Sequence, residues 1–444
     1  MTSTSPIGSP AAPGNLKNWA GNHTYGVSSL LQPGSIEEAR AMIKKYDRLK
    51  ILGTRHCFNN IADSKHHLLS LGALDKIGTL DKTGHTVTVQ AGVRYGELAS
   101  FLDNQGWALH NLASLPHISI AGGCATATHG SGVNNGNLST AVRTMTFLTA
   151  SGEIVTLSRD RDKEVFPGAV VHLGAIGVIT ELTLDIQPAY QLRQYVYEDL
   201  PMHRLEHHFD EIMSAGYSVS LFTDWRNKNF NEVWVKARME TGFPAQHLPT
   251  QKHPFPHDPS DFFGATPATR DLHPIRDISA EHCTAQMGIP GPWHERLPHF
   301  KMDFTPSSGK ELQTEYFIPR DKSYAAIQAM ERLHEKIAPH LLTSEIRSIA
   351  ADDLWMSPCY RQPSTAIHFT WQQDWPAVSR LLPLIEEQLA PFHARPHWGK
   401  LFTMPPSRIS MLYEKLPDFQ KLRMHYDPKG KFSNEYLETV IPIG

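Results

Sequence analysis

No stretch of this 444-residue chain runs for about eighteen residues without a charged or strongly polar interruption, which excludes a membrane-spanning helix. Cysteine is scarce. Cys57, Cys124, Cys283 and Cys359 lie far apart, with no C-x-x-C pair, so neither a disulfide framework nor a zinc site is expected, and a reducing cytoplasm is. No long Lys/Arg run is present and the formal net charge is −3, so nucleic acid is not an expected partner. Residues 1–14 are rich in Ser, Pro and Gly and have neither the basic nor the apolar part of a signal peptide. They read as a disordered tail. The chain is too long for one ordinary core, so two or more domains are expected.

What is present is a series of short, well-punctuated elements. Ser35-Ile-Glu-Glu38 has the form of a capping box, and Ile36, Ala39, Met42, Ile43 and Tyr46 recur at helical spacing. Residues 48–53 read as a short strand, 85–92 as a strand alternating Val87 and Val89 with polar neighbours, and 95–104 as a helix with Leu98, Phe101 and Leu102 on one face. Ser151-Gly152, between 143–150 and 153–157, predicts a hairpin, and 175–186 a buried strand. The N-terminal part to residue 190 is thus an α+β domain rather than a regular βαβ wheel. Pro, His and Asp dominate 246–292 with little periodicity, as in a lid or surface excursion. Strand and helix patterns resume from Leu312, and no internal repeat is found.

Several motifs fail on spacing. Gly130-Ser-Gly132-Val-Asn-Asn-Gly136 is one residue too long for the dinucleotide fingerprint and no helical pattern follows it, so a Rossmann domain is not expected. Ser308-Gly309-Lys310-Glu311 lacks the first glycine and the magnesium-binding hydroxyl of a phosphate loop. His294-Glu295-Arg-Leu-Pro-His299 has one residue too many for H-E-x-x-H, with Pro298 where the second histidine belongs. His66-His67 and His207-His208 are adjacent pairs that do not face one another in regular structure. For the 25 histidines as a group, surface or capping roles are expected and no metal site.

Two segments point to a ligand. Ile51-Leu-Gly-Thr-Arg-His-Cys-Phe-Asn59 sets His56 in a tight glycine-containing turn after a short apolar run, where it is either a solvated loop histidine or a neighbour of an anionic cofactor. Ser119-Ile-Ala-Gly-Gly-Cys-Ala-Thr-Ala-Thr-His-Gly-Ser-Gly132 consists almost wholly of small residues. Small side chains let the backbone approach a ligand, and successive N–H groups can cradle a pyrophosphate.

The His56 turn, the 119–132 run and Gly174-Ala-Ile-Gly-Val-Ile179 together resemble the vanillyl-alcohol-oxidase-type FAD flavoproteins. Asn111-Leu-Ala-Ser-Leu-Pro-His-Ile-Ser119, Gly291-Pro-Trp-His-Glu-Arg-Leu-Pro-His-Phe300 and Arg395-Pro-His-Trp-Gly-Lys400 resemble the members of that family that oxidise linear polyols. The resemblance runs from Asn18-Trp-Ala-Gly-Asn22 to Asp427-Pro-Lys-Gly-Lys-Phe-Ser-Asn434. It implies an α+β fold with a two-subdomain FAD-binding domain over 15–190, an α+β substrate (cap) domain over 191–400, and a C-terminal segment, 401–444, returning to the FAD-binding domain. It implies FAD joined by a single 8α-histidyl bond at His56, for which a neutral imidazole is the nucleophile. The remaining cofactor contacts are carried over to Ile51, Leu52, Gly53, Thr54, Arg55, Cys57, Ser114, Ser119, Gly122, Gly123, Cys124, Ala125, Thr128, His129, Gly130, Ile179, Glu345 and His397, with Ala113 by the flavin edge where oxygen reacts. The chain departs from the family's usual Ser-Gly before the histidine, having Thr54-Arg55, and has Cys57 where serine is usual. Arg55 could stabilise flavin or phosphate charge, or point to solvent.

In Thr343-Ser-Glu-Ile-Arg-Ser-Ile349 and Ala366-Ile-His-Phe-Thr-Trp371, Glu345 with Arg347 and His368 with Thr370 share a face if the segments are strands. From the residues alone these strands could line a polar cavity or form the solvated face of an ordinary sheet. The resemblance implies the former, with Ser114, Glu345, Arg347, His368, Thr370 and Lys400 binding a polyol such as xylitol or sorbitol. It implies hydride transfer from the terminal carbon to flavin N5, with O2 reduced to H2O2. Arg347 and Lys400 would be catalytic, holding the reacting hydroxyl, with Lys400 as base or as electrostatic partner. A monomer is implied. A sugar-lactone or cyclic-sugar oxidase or dehydrogenase is the alternative within the same family.

Overall fold

The first helix, Ile36–Lys45, starts where Ser35 accepts a hydrogen bond from the Glu38 N–H at 3.1 Å. Glu38 reaches back not to Ser35 but to the Gly34 N–H, at 2.8 Å, so the predicted capping box closes one residue earlier. Ala39, Met42 and Ile43 form its buried face and meet Leu31, Leu49, Leu69 and Phe432 in a small core of their own. The structure, a computed structural model, describes residues 16–27, 29–239, 261–302 and 310–442. The proposed disordered tail, part of the 246–292 stretch and the Ser308-Gly309 half of the phosphate-loop-like Ser308–Glu311 motif lie outside the described residues.

Beside this helix is a three-stranded parallel sheet of Ser29–Leu31, His67–Leu69 and Leu49–Ile51, with His67–Leu69 in the middle. A five-stranded antiparallel sheet follows, in the order Ile77–Asp81, Thr86–Gln90, Val178–Asp185, Val142–Leu148, Ile154–Ser158. The hairpin at Ser151-Gly152 pairs its last two strands. The helix Tyr95–Asn104 has the bounds the periodicity predicts. After Gly136 the chain makes a 3-10 turn, Leu138–Ala141, and then a strand, a setting no dinucleotide fingerprint uses.

From Gln191 the chain builds a nine-stranded mixed-length sheet. Its centre is antiparallel, in the order Gln191–Pro201, Asn229–Arg238, Ser218–Thr223, Leu341–Ile349, Ser364–Gln372, Glu311–Pro319. The described part of the irregular stretch contributes only Thr266–Pro267 and Gly291–Pro292, both paired to the Gln191–Pro201 strand. On one face Val233, Leu221, Ile346, Ile367 and Tyr316 lie opposite one another in register. They are buried in the main core with Ile327, Val378 and Ile385 from the helices Ser323–Glu331 and Trp375–Leu389. The other face therefore carries the alternate residues, Glu345, Arg347, His368 and Thr370 among them.

Hydrogen bonds tie this sheet to the N-terminal part. The Gly132 N–H donates to the Ser348 carbonyl at 2.8 Å and the Asn135 amide to the Tyr217 carbonyl at 3.0 Å. Gly132 has φ 136°, and a Cβ there would stand 2.5 Å from the Tyr217 carbonyl, so only glycine fits. The last segment returns to the start of the chain: Lys431 and Asn434 donate to carbonyls of Ile43, Tyr46, Asn60, Ile61 and Asp63. Among the described residues no helix is long and apolar enough to cross a membrane.

Candidate active site

The turn after the Leu49–Ile51 strand is set by backbone. Arg55 adopts φ 64°, the left-handed region in which glycine is at ease. This is the position where the resembling family has glycine, and the turn rather than the side chain explains why. The Arg55 side chain is exposed and donates to the Lys17 carbonyl at 3.0 Å. The exposed guanidinium thereby pins the segment before the turn. His56 is turned inward, stacked on Trp19 at 5.6 Å with Nδ1 3.1 Å from the Thr54 hydroxyl. Burial first, and the charge of His117 second, push its pKa down to about 4, so the ring is neutral near pH 7. Burial pushes the Cys57 thiol up to about 12, and its sulfur lies against Gly399, where a Cβ would stand 3.2 Å away. Asn59 donates to the carbonyls of Trp398 and Lys400 at 2.8 and 2.7 Å, so the turn also fixes the loop that presents Lys400.

Facing this turn is the 119–132 run. The Ser119 N–H donates to the Thr54 hydroxyl at 3.2 Å, while the Ser119 hydroxyl is buried and has no partner. A Cβ on Gly53 or Gly122 would stand 3.1 or 2.8 Å from that hydroxyl. An orphaned donor between two bare backbones, beside a neutral imidazole, fits the phosphates and ring edge of FAD. Not every small residue here faces a ligand. Gly123 and Cys124 turn to Tyr95 in the core, with Cys124 Sγ 3.4 Å from its hydroxyl, leaving backbone only. Gly130 is required by Asn111, whose Oδ1 a Cβ would meet at 2.5 Å. Ala125 accepts from the Leu173 N–H at 3.0 Å in the turn before Ile179, and Thr128 lies 3.4 Å from the Thr126 hydroxyl. Lys50, wholly buried, closes the same turn by donating to Leu173, Gly174 and Phe432 carbonyls.

The substrate-side residues form rows across the large sheet. Glu345, His368 and Glu315 lie opposite one another on three adjacent strands, as do Thr343, Thr370 and Gln313, while Arg347 is two residues on from Glu345. Glu315 is the residue the sequence reading missed. Its carboxylate, 1 % exposed, accepts from Arg347 Nη2 at 2.8 Å, meets Lys400 Nζ at 2.9 Å, and lies 3.2 Å from His129 Nε2. The signal was the alternation Glu311, Gln313, Glu315, the same spacing that singled out Glu345 and Arg347. Arg347 also donates to the Ser114 hydroxyl at 3.4 Å and lies 3.5 Å from Glu345. Ala113 is buried next to it. Both ring nitrogens of His368 are buried without a partner, as is the Thr343 hydroxyl.

Burial alone would raise the Glu315 carboxyl, but Lys400, His129 and Arg347 hold it well below the usual carboxylate range. Glu345 is likewise held down against burial by Arg347 and His299. Lys400 is lowered, first by burial; Glu315 opposes that and Arg347 assists it. The cationic neighbour invoked from the sequence is therefore a lesser cause than burial. His368 and His397 are pushed well below 6.5, chiefly by burial. His397 accepts from the Gly399 N–H at 3.0 Å and stacks on Phe317. His129, Glu315 and His397 offer ligand atoms within 4.8 Å of one another. Arg347 and Lys400 already hold that same carboxylate, however, and two cations in contact with it oppose a third. The expectation that histidines are surface or capping residues fails for His129, His299, His368 and His397, all buried here. His299, discounted on spacing, lies 2.8 Å from Glu345.

A family model described as an FAD binding domain matches residues 27–158, and one described as D-arabinono-1,4-lactone oxidase matches 304–440. An alditol oxidase from a Streptomyces species is 44% identical, covering 96% of this chain and 99% of its own. An L-gulonolactone oxidase from Bos taurus is 27% identical, covering 96% and 98%. Among solved structures, cholesterol oxidase from B. sterolicum superposes with a TM-score of 0.73 over 99% of this chain and all of its own, at 15% identity, a likeness of fold. The model matches and a near full-length relative of this identity agree, and the chain belongs to the alditol oxidase family of FAD-dependent oxidases, of the vanillyl-alcohol-oxidase type.

Proposed function

We propose that the protein oxidises the terminal CH2OH of a linear polyol to an aldehyde: RCH2OH + O2 gives RCHO + H2O2. One observation carries the reading. A single buried carboxylate, Glu315, holds Arg347 and Lys400 side by side next to a row of buried, partly unsatisfied polar groups. Such a row costs free energy unless a ligand rich in hydroxyls completes it. FAD, when bound, supplies the acceptor for the substrate's hydride and passes the electrons to dioxygen.

Arg347 and Lys400 bind the reacting hydroxyl and stabilise the negative charge that grows on its oxygen. Lys400, its ammonium disfavoured by burial, takes up the hydroxyl proton. Ser114, Glu345, His368 and Thr370 bond the remaining hydroxyls. His56 carries the flavin through one 8α bond, a role supported by its neutral ring and inward position, while the protonated Cys57 thiol is no second attachment point. The 51–57 turn, the 119–130 run, Ile179 and His397 hold the rest of the cofactor. The FAD-binding domain spans 15–190 and 401–444, the substrate domain 191–400. We place the protein in the cytoplasm, a reading supported by four free thiols, and as a monomer.

The test is peroxide release in air over a panel of xylitol, sorbitol, hexanol and sugar lactones. Polyols are expected to turn over and hexanol poorly, because its missing hydroxyls leave the site's groups unpaired. Comparable kcat/KM for hexanol and sorbitol overturns the reading. The lactone-oxidase model matched over 304–440 favours one second reading, a sugar-lactone substrate, and faster turnover of lactones would establish it. Acid precipitation tests the linkage: yellow pellet for a covalent flavin, yellow supernatant against it.

A further inference from the structure

The segment from Gly291 to Phe300 has a distinctive sequence and, so far, no part in the chemistry. It is no surface loop. Trp293, Leu297 and His299 are buried, and the Thr284 hydroxyl donates to the Pro298 carbonyl at 2.8 Å. Its end acts in two directions. The N–H groups of His299 and Phe300 donate to the Ser114 carbonyl at 3.2 and 3.4 Å. The His299 ring points the other way, with Nε2 2.8 Å from Glu345 Oε1.

Behind that ring stands Lys236, 1 % exposed. Its Nζ donates to the Leu297 and Pro298 carbonyls at 2.5 and 3.1 Å and lies 3.2 Å from His299 Nδ1. Burial pushes the Lys236 ammonium down to about 7, so the ring proton is placed from the other side. The Glu345 carboxylate, ionised, only accepts. The ring proton therefore sits on Nε2, and Nδ1 is left to accept from Lys236. Trp234 and Phe222 meet the ring edge-on at 5.2 and 5.6 Å and hold its plane.

We propose that His299, locked by Lys236, is a positioning residue that fixes Glu345 for binding the substrate's hydroxyls, through the Gly291–Phe300 segment. The proposal rests on the polyol reading above. Without the His299 donor, Glu345 is free to close on Arg347, now 3.5 Å away, and both groups turn from the substrate. The loss falls on hydroxyl binding rather than on the redox step.

The experiment compares flavin-loaded His299→Asn, too short to reach Glu345, with His299→Gln, whose amide can reach it. Both are made also on a Glu345→Gln background, and xylitol oxidation is measured. The expected result is a KM raised about 10-fold by His299→Asn with kcat within about 3-fold, substantial recovery in His299→Gln, and under about 2-fold further loss on the Glu345→Gln background. Additive losses, a loss confined to kcat, or no difference between Asn and Gln overturn it. If His299→Asn does not accumulate as holoprotein, Lys236→Met, which keeps the ring but frees it, is read on the same background by the same criteria. Wild-type enzyme inactive on every polyol removes the polyol reading and this inference together; active wild type with additive variants removes this inference alone.

Discussion

The turn around His56 and the face of the large sheet solve opposite problems. On the proposed cofactor side the working parts are backbone and small side chains, and the Arg55 guanidinium is directed outward to Lys17. On the proposed substrate side the charges point inward, and Glu315, Arg347, Lys400 and Glu345 neutralise one another in a largely buried cluster. A cradle for a large anionic group needs close approach and unspent N–H donors. A site for a small neutral polyol needs side chains held rigidly enough that each unmet hydroxyl costs binding. The two meet at contacts such as Arg347 to Ser114, Glu315 to His129 and Asn59 to the Lys400 loop.

That division predicts that sheet variants lose turnover and keep flavin. Lys400→Met has the largest expected effect: flavin reduction by xylitol in stopped flow falls about 1,000-fold, with flavin content unchanged. Near wild-type reduction removes Lys400 from the chemistry, and parallel flavin loss breaks the division. Glu315→Gln comes next. It leaves Arg347 and Lys400 beside one another without their shared anion, so kcat/KM is expected to fall about 100-fold and stability by about 3 kcal/mol, read by steady-state kinetics and thermal melting.

A smaller effect touches both regions. Burial pushes His299 down to about 4, and burial followed by the charge of Lys50 pushes His172 down to about 3. The unfolded chain takes up these protons near 6.5, so it binds more of them than the native state between that value and the folded pKa values. Stability is therefore complete above about pH 6.5 and is lost as pH falls towards 4. A lower Tm at pH 5 than at 7.5, with a shallower slope in His299→Gln, is expected; a flat Tm contradicts it. The smallest effect is on the cofactor side. Arg55→Gly relieves a left-handed residue but forfeits the bond to Lys17, so stability changes by about 1 kcal/mol or less and flavin content stays. Loss of flavin would show that Arg55 takes part in the cradle after all.

Local elements were readable where one period dominates. The 95–104 helix needed only Leu98 and Leu102 on one face, and the face shared by Glu345 and Arg347 follows from alternation. The strand predicted from 175 starts only at Val178, because Leu173 and Gly174 take positive φ and the chain is still turning. Glu315 was within reach of the same alternation rule, since Glu311, Gln313 and Glu315 recur at every second position of their strand. His299 was not. No rule of spacing connects a loop at 299 to a strand at 345.

By itself the sequence determined the family, the α+β class and the residue types available for chemistry, because these follow from local periodicity and from motifs in fixed order. The tertiary structure alone decided which charges share a carboxylate, which histidine nitrogen faces Glu345, and why arginine can stand where glycine is usual. Those outcomes depend on strand register, on burial and on contacts between residues far apart in the chain, and register across five strands is a property no single segment carries.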